Sequence, residues 1–225
     1  MPPPSIGARP HRSMPGMLIL DAAVAVAALL LALALRPWRA LDAAGPPWPW
    51  LAWWAMLPAL WGADRYVDMA VAQPLSGACL LMLMAGWPLA MLGLLPVALL
   101  TALFADLGAA EALHRAVWLG VIPATLAMGL GAAIRRWLPN QLFIYILGRG
   151  FFATALAGAA AGVLSALLHA APAGLEPGDL MLARFLAAWG DAFLAGMIVA
   201  IFVAFRPHWL ATYADRIWLQ PPARG

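Results

Sequence analysis

The sequence predicts an all-α fold, a polytopic integral membrane bundle of about seven transmembrane helices, and three observations predict it. Of 225 residues, 65% are hydrophobic and only 10% charged, against roughly 25% charged in a soluble domain. Mean hydropathy is +0.87. Apolar runs recur along the whole chain, several near the ~20 residues that cross a ~30 Å hydrocarbon core. No single water-facing core would absorb them all.

Residues 1–16 are proline-rich, carry Arg9, His11 and Arg12, and read as a disordered N-terminal tail. The bundle is expected over 17–205, and a cytoplasmic C-terminal tail over 206–225. The first span, Met17–Leu35, stops at Arg36-Pro37-Trp38-Arg39. A cleaved signal peptide competes for this run, since Ala32-Leu33-Ala34 has the form of a cleavage site. The run is long for such a segment and contains Asp21, which favours a retained helix. Met17 is an alternative start.

Trp48–Gly62 is the second span, and Trp48, Trp50, Trp53, Trp54 and Trp61 are expected in a headgroup-level belt. Asp64–Asp68 reads as a wet loop. Pro74 to Phe104 is 31 residues, about 46 Å as one helix, too long for one crossing and slightly short for two. Gly86-Trp87-Pro88 supplies a break, giving helices at 74–86 and 88–104. A polar loop from Asp106 to His114 precedes the spans Val117–Ile134, Leu142–His169 and Met181–Phe205. Residues 170–180 form an acidic loop, and no repeat or separate domain stands out.

All 13 basic residues are arginine, and net charge is +3. They are scattered near helix ends, which suits lipid headgroups rather than nucleic acid. Arg36, Arg39, Arg135, Arg136, Arg206, Arg216 and Arg224 fall on one side of a seven-span topology. Arg65, Arg115 and Arg184 fall on the other, with most loop acids. The rule that short cytoplasmic loops are basic then puts the C-terminus in the cytoplasm and the N-terminus outside, in a bacterial inner membrane.

Ionisable groups inside spans are costly and are the first functional candidates. Asp191 sits near the middle of the last span and needs a partner or a proton. Arg149, near the start of the preceding span, is the candidate partner, and a purely structural anchor for Asp191 is an equal alternative. Asp21 lies one turn into the first helix, where a carboxylate reaching back to the interface is the simpler reading. Cys79 and Met82, three residues apart on one helical face, offer soft ligands suited to Cu(I), although methionine is also an ordinary core filler. The histidines His11, His114, His169 and His208 are dispersed, and no two have the i, i+4 spacing of a helical metal site. No phosphate loop, no hydrolase triad and no cysteine pair is present, so an enzyme is not expected. Gly158-Ala159-Ala160-Ala161-Gly162 is a small-residue surface suited to close helix packing.

Two stretches are distinctive: Leu138-Pro139-Asn140-Gln141-Leu142-Phe143-Ile144-Tyr145-Ile146 with Gly150-Phe151-Phe152, and Asp191-Ala192-Phe193-Leu194-Ala195-Gly196-Met197 running to Phe205-Arg206-Pro207-His208-Trp209-Leu210-Ala211-Thr212-Tyr213. With Leu75-Ser76-Gly77-Ala78, Gly86-Trp87-Pro88 and Ala34–Arg39, they resemble a bacterial branch of the energy-coupling-factor permeases, related to the CbiM-like cobalt/nickel substrate-binding proteins. The resemblance covers roughly residues 17–218. It implies a bundle that captures a transition-metal ion as transported substrate and works with a coupling permease and cytoplasmic ATPase subunits. It also implies an N-terminal Met-His metal motif, which this chain lacks: it begins Met1-Pro2, and Met17 is followed by Leu18. Pro74 stands where the family has a histidine, and Arg115 and Trp118 stand where polar residues precede its fifth helix. Asp191 retains the acid expected on the last helix.

The expectation is a substrate-capture subunit of an energy-coupling-factor importer, with Asp191, Arg149, Asp21, Cys79 and Met82 as candidate substrate contacts. The alternative is a non-transporting structural or assembly subunit of a larger membrane complex, which the missing histidines and the Gly158–Gly162 surface motivate.

Overall fold

A chain in hydrocarbon must satisfy its own backbone, so long apolar runs become long helices. The computed structural model describes residues 15–38, 49–66, 73–169, 176–214 and 218, and among these it is helical with no strand. Helix α1 runs Pro15–Ala34, α2 Trp50–Trp61, α3 Ala63–Tyr66, α4 Ala78–Ala85 and α5 Trp87–Phe104. Helix α6 runs Ala109–Trp137, α7 Ile144–Leu168 and α8 Pro177–Phe205. Helix α6 has a π-helical stretch at Ala116–Val121, and α7 opens with one at Ile144–Phe152.

Five helices (α1, α5, α6, α7 and α8) are long and apolar enough to cross a membrane. Helix α2 has 12 residues and α4 has eight, about 18 Å and 12 Å of rise, so neither covers the hydrocarbon thickness alone. Of the seven expected spans, five are thus helices long enough to cross, and the second and third fall on short helices that are not. The break expected at Gly86 is present: its φ of +82° ends α4, and α5 starts at once with Pro88 in its first turn. The boundaries move elsewhere. Helix α6 begins at Ala109, inside the stretch read as a polar loop, and α8 begins at Pro177, inside the acidic one.

Helix α4 is buried from end to end. Its uniformly apolar sequence follows, since a helix buried all round needs no polar stripe. The long helices instead turn large apolar side chains outward, among them Leu30 and Leu31 of α1, Leu103 of α5, Leu167 of α7, and Phe193 and Phe205 of α8. Exposed apolar surface on this scale belongs against lipid, not water.

Two sequence readings are corrected by the packing. The expected tryptophan belt does not hold for all five residues: Trp53 and Trp61 are buried in the core, Trp50 and Trp54 are half-buried, and Trp48 lies outside the described residues. The stretch read as a polar C-terminal tail also joins the core, because Leu210, Tyr213 and Trp218 are buried. The Ala211 and Thr212 amides donate to the Met84 and Leu83 carbonyls at 3.1 and 3.3 Å, which satisfies carbonyls that a helix C-terminus leaves open. The N-terminal tail expected over 1–16 falls almost wholly outside the described residues.

The Gly158–Gly162 surface packs within the chain. A Cβ at Gly158 would come within 3.0 Å of the Ala188 Cβ, and one at Gly162 within 3.2 Å of the Arg184 Cβ. Small residues here let α7 and α8 approach closely, and no second chain is needed to explain them.

Candidate functional site

Among the described residues of this apolar chain, three polar clusters stand out in three places. The first is a clasp at mid-bundle. Asp191 on α8 is 7% exposed, and its carboxylate accepts the Ser76 amide at 2.8 Å and the Gly77 amide at 3.1 Å. The same two residues give their carbonyls to α2: Trp61 Nε1 donates to Ser76 O at 2.7 Å, and Trp53 Nε1 to Gly77 O at 2.9 Å. The Ser76 hydroxyl donates to Leu119 O on α6 at 2.5 Å. That carbonyl is open to it because Pro123, four residues on, has no N–H to return. The Ala78 amide donates to the Ser76 Oγ at 3.2 Å. Every backbone group of this buried, non-helical dipeptide is thereby paired, as burial requires.

Arg149 is not the partner of Asp191. Its guanidinium stands 5.7 Å from the Tyr145 ring centroid and packs on Gly131, where an added Cβ would meet its Nε at 2.6 Å. The Arg149–Asp191 pair raised by the sequence does not form, and the Ser76 and Gly77 amides hold the carboxylate instead. Cys79 and Met82 are buried in the apolar core on α4, and Cys79 belongs to no group of metal-ligating side chains among the described residues. A cavity of about 10 Å³ lies between Asp191, Cys79, Thr154 and Trp53. It has room for about one water and not for a larger solute.

Gly77 is required at its position. Its φ is +63°, and a Cβ there would lie 2.6 Å from Leu57 Cδ2 and 3.1 Å from the Trp53 ring. Left-handed backbone costs about 1–2 kcal/mol in a residue with a Cβ, and overpacking adds about 1–3 kcal/mol. Gly77→Ala is expected to lower the thermal unfolding temperature of the detergent-solubilised protein. Gly129→Ala, inside α6 where nothing lies within 4 Å, is expected not to lower it, since alanine is the better helix former.

The second place is a charged network at the α2 and α6 ends. Arg115 donates to both Asp64 oxygens at 2.7 Å, to Glu111 at 2.7 Å and to the Trp61 carbonyl. Arg65 adds two contacts to Glu111 at 3.1 and 3.0 Å. The predicted wet loop at 64–68 is thus in part a short helix pinned by a buried arginine.

The third place joins α1, α6 and the end of α7. Asp21 is 3% exposed, so it does not reach back to the interface. Its Oδ1 accepts Trp118 Nε1 at 2.9 Å, and its Oδ2 lies 3.2 Å from His114 Nδ1 and 3.9 Å from His169 Nε2. His169 meets the other two rings edge to face: His114 and His169 centroids are 4.5 Å apart, and Trp118 and His169 5.2 Å. Sequence reading named Asp21 and missed both histidines, because it looked for ligands spaced along one helix. The signal available was topological. Residues 21, 114 and 169 each lie near a helix end on the same side of the predicted alternation.

No protein-family model, curated protein or solved structure matches this chain.

Proposed function

We propose that the chain is the substrate-capture subunit of an energy-coupling-factor importer, carrying a transition-metal ion or another small solute. The observation that carries this reading is convergence. The stretches resembling the CbiM-like proteins are far apart in sequence, yet they touch one another in one structural unit. Asp191 holds Ser76 and Gly77. The Tyr145 hydroxyl lies 2.8 Å from Thr212 Oγ1, which itself donates to Leu83 O at 3.1 Å. Tyr145 therefore donates to Thr212, and α7, the C-terminal segment and the end of α4 are tied together. A resemblance due to apolar composition alone would have no reason to select residues that bond across the fold.

In this reading the chain lies in a bacterial inner membrane with the N-terminal end outside. Helices α2 and α4 serve as short passes, so the chain reverses direction as a seven-span protein would. Coupling permease and ATPase subunits are its partners, and lipid covers the outward leucines and phenylalanines. The rival reading, a structural subunit of another complex, loses one motivation because the Gly158–Gly162 surface is occupied by α8.

The full chain, tagged and purified from its native host's membranes, is expected to bring down a second membrane protein and ATP-hydrolysing subunits. Stable recovery with an unrelated membrane complex and no ATPase would overturn the proposal.

A further inference from the structure

We propose that Asp21, His114 and His169 form a binding site for one divalent transition-metal ion of the class that prefers nitrogen and oxygen donors. One ligand atom from each residue lies within 4.8 Å of the other two. Two imidazoles and a carboxylate suit Zn(II), Co(II) or Ni(II), and three protein ligands leave a position open for water or an exchanging ligand. Metal–nitrogen bonds of about 2.0–2.1 Å put tetrahedral ligand atoms about 3.3 Å apart. The His114 Nδ1 to Asp21 Oδ2 distance of 3.2 Å already fits this. The His169 Nε2 to Asp21 Oδ2 distance is 3.9 Å, so ion binding would draw this ligand in by about 0.6 Å.

The protonation pattern supports the assignment. His169 Nδ1 lies 3.2 Å from the Ser165 carbonyl, which can only accept, so Nδ1 carries the ring proton. In the neutral ring Nε2 presents its lone pair, and that buried atom has no hydrogen-bond partner among the described residues. A lone pair facing a carboxylate oxygen is repulsive until a cation stands between them. The outer contacts are those that orient metal ligands: Ser165 O fixes the His169 tautomer, and Trp118 Nε1 holds the far oxygen of Asp21. His114 is about one-third exposed, which gives the ion a way in. Arg184, bound to the Gly162 carbonyl at 2.7 Å and reaching Ser165 Oγ at 3.4 Å, brings positive charge to the same end and tempers affinity.

This site does not depend on the transport reading. An ion bound here without ATPase partners would keep the site and sink the importer, and the reverse outcome would do the opposite. The test is equilibrium dialysis of the detergent-purified full chain, carrying a tag without histidine, against Co(II), with the visible absorption of the bound ion recorded. One Co(II) per chain is expected, displaced by Zn(II). His169→Phe is the decisive variant, because it preserves a ring and removes an unpaired buried nitrogen. A merely structural His169 would tolerate it, whereas a ligand would not. Affinity is expected to fall about 100-fold or more in His169→Phe and His114→Ala, and about 10–100-fold in Trp118→Phe, whose indole only orients Asp21. His208→Ala, on the segment after α8, is expected to bind as the parent does. Failure of the parent to bind at millimolar Co(II), or full binding by a folded His169→Phe, would overturn the proposal.

Discussion

Asp191→Ala is expected to be the most damaging single substitution in this chain. It removes the acceptor of two buried amides at once and leaves the Ser76 and Gly77 N–H groups without that partner. A hydrogen bond to a charged group contributes about 1.5–3 kcal/mol, and stranding a buried donor adds a desolvation penalty of similar size. A loss of about 3 kcal/mol or more follows. The unwound dipeptide positions α4, so the loss would extend to the packing of the whole buried helix. Asp191→Asn keeps an acceptor oxygen and is expected to lose about half as much. Arg149→Ala separates this account from the charge-pair reading: were Arg149 the partner, its removal would hurt as much as that of Asp191. The structure predicts a far smaller effect, since Arg149 lies against Tyr145 and Gly131 and is not among the groups that bond the Asp191 carboxylate. Unfolding of the three variants in mild detergent decides it, and equal losses for Arg149→Ala and Asp191→Ala would refute the clasp.

Arg115→Met is expected to come second. Its guanidinium holds both oxygens of Asp64, one of Glu111 and the Trp61 carbonyl, while Arg115 itself is only 8% exposed. Removing one member of a buried charge network leaves the others uncompensated, at about 3–5 kcal/mol when burial is complete. Asp64 and Glu111 are partly solvated, so about 2–3 kcal/mol is the expected loss. The double variant Arg115→Met/Asp64→Leu should recover part of it, because no charge is then left without a partner. Thermal unfolding of the single and double variants checks this; a double variant less stable than the sum of its singles would contradict the network.

The third polar cluster ranks below these for stability. Its histidines are partly exposed, and the Trp118 contact would still hold Asp21 if one ring were lost. Its expected signature is metal affinity, which separates a binding site from a structural anchor.

The apolar runs determined helix and membrane by themselves, because lipid offers a backbone no other partner and the length of a run sets whether it can cross. The helix break at Gly86 was legible for the same kind of reason, glycine and proline being local constraints. Which polar group meets which was not legible. The charge rule for buried groups directed Asp191 to Arg149, yet the fold offered it two backbone amides instead, on the short non-helical segment before α4 that no side-chain pattern marks. Asp21 could be picked out as a costly buried acid, but His114 and His169 lie 93 and 148 positions from it and meet it only because three helices end on the same side. Sequence fixes what each segment must hide from water or show to lipid through local periodicity and length. The pairing of distant polar residues is decided by helix order and crossing, which depend on packing shapes summed over the whole bundle.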